Sequence, residues 1–164
     1  MTHLVLLALS AALFTTSAMA DNFTYNVQQA GYAFDKFDEK GAITYDGFVQ
    51  EFRSFPWASQ VGQAKGRSEP TISVRNHSNK TDYWVSAAKN GSGLAYLVGI
   101  VHPKEKPGLF GLGKPRTVRW VEIYVAETPG VVEDTFRTFF GGKHEELLRQ
   151  LQALPKFGEM EAKR

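Results

Sequence analysis

The sequence predicts an α+β fold: a four-stranded antiparallel meander packed with N-terminal and C-terminal helices. Three observations carry that reading. Apolar residues recur at helical spacing towards both ends of the chain, the middle alternates with a period of two, and the connections between alternating segments are short.

A segment that does not belong to the fold comes first. Leu4 to Phe14 is apolar except for Ser10. It is shorter than the ~20 apolar residues a membrane-spanning helix needs. It leads into Ala18-Met19-Ala20, the small-residue pattern that signal peptidase accepts. Met1-Thr2-His3 carries no Lys or Arg, a departure from the usual start of such a segment. The expectation is a signal peptide over 1–20, cleaved after Ala20, and a single globular α+β domain over 21–164, periplasmic or secreted. The chain has no cysteine. In an oxidising compartment its stability must therefore rest on burial, and it offers no thiol for a lipid anchor.

The elements of the domain follow in order. Phe23, Tyr25 and Val27 alternate with polar residues, the pattern of a short strand. Phe34 to Lys40 is charged and aromatic and reads as a short helix or loop. Thr44 is placed to cap a helix on which Phe48, Val49, Phe52 and Phe55 fall on one side. Pro56 suits the first turn of a second short helix with Trp57 and Val61. The four meander strands are expected over 71–75, 83–88, 94–101 and 117–126. Asn90-Gly91 supplies the hairpin turn between the second and third. Both alternating sets are apolar in the third and fourth strands, so both faces there need cover. Helices can cover one, and a second layer or a partner chain must cover the other. Thr128-Pro129 opens a helix carrying Val132, Phe136, Phe139 and Phe140, and Gly141-Gly142 stops it. Leu147, Leu148, Leu151 and Leu154 mark the last helix, and 156–164 reads as a charged, frayed tail.

No motif for chemistry is complete. Gly108 to Lys114 has the spacing of a phosphate-binding loop, but Pro115 stands where Ser or Thr must bind Mg²⁺, and a strand follows in place of a helix. A nucleotide is therefore not expected. Asp35, Asp38, Gly41 and Ile43 match part of a calcium-binding loop. The first ligand position falls on Lys36 and the twelfth on Gly47, where acids are required. His77, His102 and His144 have no His or acid at metal-ligand spacing; His102 could meet Asp82 or Glu122 across the sheet as an acid–base pair. Glu122, between Trp120 and Tyr124, reads as one half of an ion pair. No nucleophile elbow or cysteine nucleophile is present. No catalytic residue, metal or cofactor is assigned. A formal net charge of +2 is too small to argue for nucleic acid.

One segment looks built for contact. The connection 103–116 is longer than a hairpin needs. Lys104, Lys106, Lys114 and Arg116 flank Leu109, Phe110 and Leu112. Each large apolar side chain held at a loop tip forgoes roughly 1.5–3 kcal/mol of burial. These residues either fold back onto the body or are kept for a partner or a membrane surface. Leu109, Phe110, Leu112, Lys114 and Arg116 are accordingly the candidate partner-binding set. The expected function is an exported, non-catalytic protein-binding module. Small inhibitor and immunity proteins share that general plan, though a shared plan does not establish a function. A carrier of a small apolar ligand or lipid is the alternative, ahead of an enzyme.

Overall fold

The computed structural model describes residues 22–64, 68–107 and 114–162. Eleven elements follow one another: β1 (Phe23–Gln28), β2 (Asp38–Ala42), α1 (Tyr45–Ser54), α2 (Trp57–Gln63), β3 (Thr71–Asn76), β4 (Thr81–Asn90), β5 (Gly93–Lys106), β6 (Arg116–Ala126), α3 (Pro129–Phe140), α4 (His144–Gln152) and β7 (Lys156–Glu161). The strands form one seven-stranded sheet in the order β2-β1-β3-β4-β5-β6-β7, antiparallel throughout.

This corrects the four-stranded meander. The four expected segments lie within β3–β6, but the sheet continues on both sides. Beyond β3 it adds β1 and then β2, which takes up the end of the stretch read as helix or loop, from Asp38 onward. Gln28 holds the intervening turn by donating from Nε2 to the carbonyls of Ala33 (3.2 Å), Phe34 (3.1 Å) and Lys36 (3.4 Å). Beyond β6 it adds β7, where a frayed tail was expected. The β5–β6 hairpin is also longer than expected, with Pro103, Lys104, Glu105 and Lys106 pairing opposite Arg119, Val118, Thr117 and Arg116. Beyond Val101 the strand β5 has no β4 partner, and a strand with one neighbour can accommodate a proline.

All the helices pack on one face of the sheet. Thr44 caps α1 by accepting from the Gly47 N–H at 3.2 Å, and Thr128 caps α3 by accepting from Val131 at 3.4 Å. Phe48 and Phe52 of α1 and Val132, Phe136 and Phe139 of α3 are buried. They meet Phe23, Val74, Tyr83, Val85, Val98 and Ile100 of the sheet in one core. Phe48 and Phe136 stack with ring centroids 3.8 Å apart, and Tyr83 lies 4.4 Å from Phe136. Leu147 and Leu151 bring α4 onto the same core. None of the described helices is long and apolar enough to cross a membrane.

Candidate interaction surface

The strand register sorts every sheet residue onto one of two faces. Tyr83, Val85 and Ala87 lie opposite Ile100, Val98 and Tyr96 and face the helices. The intervening residues therefore point the other way. On that second face one row runs Ser73, Trp84, Gly99, Ile123, Gly158. The next runs Arg75, Asp82, Val101, Val121, Met160, and a third holds Thr71, Ser86, Leu97 and Val125. Among the described residues no helix or strand covers this face. Trp84, Leu97, Val121, Ile123 and Val125 stay partly exposed there, and Met160 is 55% exposed. The result is an apolar surface across β4–β7 bordered by the polar Thr24, Asn26 and Ser73 on β1 and β3.

Trp84 gives the surface its shape. Its indole lies across Gly99 of the neighbouring strand, so that any Cβ at 99 would overlap ring carbons Cε2 and Cζ2. Glycine in a strand interior marks a place where something approaches the backbone closely, and here that is the ring. The flattened indole fills the row without rising from the sheet. The sequence does carry a signal for it: Gly99 is the single glycine inside the apolar run Leu94–Val101.

At the charged end of the same face a groove of about 800 Å³ is lined by Arg75, Pro103, Thr117 and Arg119 of that face and by Lys80 of the β3–β4 turn, with Arg116 and Glu161, which the register places in the helix-side rows, at its rim. Asp82 lies beneath Arg75 and Arg119. Arg119 donates to its Oδ2, and Arg75 Nε stands 3.8 Å from Oδ1. Burial raises the Asp82 carboxyl above its ordinary value, an effect that the two guanidiniums oppose without cancelling. A second hollow, of about 460 Å³ between α1 and β1–β2, is lined by Tyr25, Thr44, Gln50, Glu51 and Ser54. Its single carboxylate, Glu51, accepts from Tyr25 at 3.5 Å.

The histidine and glutamate singled out in the sequence stand on the helix side. His102 is opposite Trp120, whereas Asp82 is opposite Val101, so His102 and Asp82 are on different faces and form no pair. The nearest ring to His102 is His144 at the start of α4, with centroids 5.7 Å apart. Burial lowers the His102 pKa from its ordinary value, against the pull of Glu122, and its Nε2 is buried without a hydrogen-bond partner. Glu122 accepts from the Tyr124 hydroxyl at 2.8 Å and lies 4.0 Å from Lys104 Nζ. Burial, reinforced by Glu122, raises the Tyr124 pKa, so this hydroxyl is a donor and not a base. Lys104 and Lys106 both sit 4.4 Å from the Trp120 ring centroid. Among the described residues, no three His, Cys, Asp or Glu side chains are grouped to hold a metal.

Of the candidate contact set, Leu109, Phe110 and Leu112 lie outside the described residues. Lys114 is exposed, and Arg116 lines the groove with its Nη2 3.3 Å from Glu161. Comparison with protein-family models, curated proteins and solved structures gave no match.

Proposed function

We propose that this chain is a small, non-catalytic protein-binding module, exported by a signal peptide cleaved after Ala20, that presents the uncovered face of its sheet to another protein. The observation that carries the reading is the surface of Trp84, Leu97, Val121, Ile123 and Val125, left open on the central strands of the sheet. Contiguous apolar area of this kind, bordered by polar residues, is typical of interaction sites. Tryptophan is among the residues most enriched in the energetic centre of interfaces. The aromatic rings between sheet and helices support a binding face over a carrier. Phe48, Phe52, Tyr83, Phe136 and Phe139 fill with their own contacts the layer where a carried ligand would sit.

The test is the triple change Trp84→Ser, Val121→Ser, Ile123→Ser. These residues contribute little to the buried core, so far-UV circular dichroism should keep its shape. Capture of a specific partner from the compartment should be lost. Unfolding of the variant, or capture unaffected by it, would overturn the reading.

A further inference from the structure

The groove at the end of the open face carries a chemistry that the apolar surface lacks. Asp82, with its side chain 15% exposed, is shared by Arg75 and Arg119. A guanidinium carries five N–H donors in a rigid fork, so one carboxylate orients both side chains and leaves most of their donors free. Lys80 adds a third cation from the β3–β4 turn. It has a φ of 57°, the one left-handed non-glycine among the described residues. The turn is pinned around it, with Ser78 N–H donating to the Asn76 side chain at 2.9 Å and Thr81 N–H to the Asn79 side chain at 3.1 Å. Arg116, at the rim from a helix-side row, is the fourth cation and shares Glu161 with Lys106.

The carboxylates among these charges decide what fits. A compact dianion such as phosphate binds where cations converge on one point. Here carboxylates stand between the cations, Asp82 between Arg75 and Arg119 and Glu161 beside Arg116, and would repel a dense charge. Cations already part-neutralised by a neighbouring carboxylate suit single carboxylates presented one at a time along a chain. The register places Arg75, Asp82 and Arg119 on the same face as Trp84, Val101 and Val121, so the groove runs directly out of the apolar surface. The geometry points to an acidic partner segment, in which Asp or Glu residues alternate with apolar ones, crossing from the apolar surface into this groove. This rests on the open face being a protein contact.

The experiment is an NMR titration of the full chain with a synthetic peptide of alternating Glu and Leu, with its Lys–Leu counterpart and inorganic phosphate as controls. The acidic peptide should shift the amides of Arg75, Lys80, Thr117 and Arg119 together with those of Trp84 and Ile123. Its affinity should fall roughly tenfold from low to high salt, as screening removes the ion pairs. Removing Arg75 or Arg119 would strand Asp82 and could unfold the end of the sheet. The diagnostic variant is therefore Lys80→Gln with Arg116→Gln, which leaves that frame intact and should weaken the peptide roughly fivefold. Shifts at Trp84 and Ile123 without shifts in the groove would overturn the inference while leaving the open face as a contact. Equal shifts from phosphate would overturn it in favour of a compact-anion site. No shift in either region would count against both the groove and the face.

Discussion

Trp84 on β4 lies across Gly99 on β5, and the ring occupies the space into which a side chain at 99 would project. The two residues are directly opposed in the antiparallel register. Together they convert the middle of the sheet from a row of upright side chains into a low aromatic floor.

Substituting Gly99→Ala should therefore displace the indole. The cost should be that of inserting a methyl into a filled site, about 1–3 kcal/mol. The Trp84 indole N–H resonance should move while those of Trp57 and Trp120 stay in place. Urea unfolding and a two-dimensional NMR spectrum check both parts. An unchanged midpoint with an unmoved Trp84 signal would show that the ring does not rest on Gly99.

The two faces should differ sharply in what they contribute to stability. Phe136 is fully buried and stacked on Phe48, so Phe136→Ala should cost about 3–5 kcal/mol. Ile123→Ser, on the open face, should cost about 1 kcal/mol or less. Equilibrium urea denaturation at constant m-value ranks the two, and a reversed ranking would contradict the assignment of the core to the helix side.

Much of the interior was legible in the sequence, and the edges were not. The strands β3 and β4 alternate because one of their faces meets helices, β5 and β6 stand out as apolar on both sets, and the helical stripes of Phe48–Phe52 and Val132–Phe136–Phe139 are the helices' side of the same contact. The edge strand β2 reads Asp-Glu-Lys-Gly-Ala, a composition that keeps edges from pairing with other chains and hides them from a propensity argument. The other edge, β7, looks like a charged tail. Its Glu159 and Glu161 lie opposite Glu122 and Trp120, and its Met160 opposite Val121, a pattern visible only once β6 is in place. Of the candidate contact set, the basic residue Arg116 lines the groove. Its companions Arg75, Lys80 and Arg119 come from other parts of the chain, where no local spacing could connect them.

His102 should make the protein less stable in mild acid. Burial lowers its folded pKa below the ordinary 6.5, so above about pH 6.5 the imidazole is neutral in both states and costs nothing. As pH falls through that value the unfolded chain takes up a proton that the folded chain does not, and stability declines until the folded pKa is reached. Glu122 on β6 moderates the effect, while His144 on α4 and Lys104 on β5 reinforce it. Melting temperature measured from pH 7.5 down to pH 5 should fall in the wild type and fall less in His102→Gln. Identical profiles would remove His102 from the account.

Export can be checked by mass. Protein recovered from outside the cytoplasm should begin at Asp21, and its intact mass should lack residues 1–20. A mass that includes Met1 to Ala20 would contradict cleavage after Ala20.

Whether the open face meets another protein decides the function. Site-specific photo-crosslinking reads this directly, with a photoreactive residue placed at Leu97, Val121 or Ile123 on the open face and, as control, at Arg149 or Gln152 on the exposed side of α4. In cells that make this protein naturally, the three open-face positions should all trap one protein of the same mass, and the α4 positions should trap none. Equal trapping from α4, or no adduct from any open-face position while the protein remains folded, would contradict the claim.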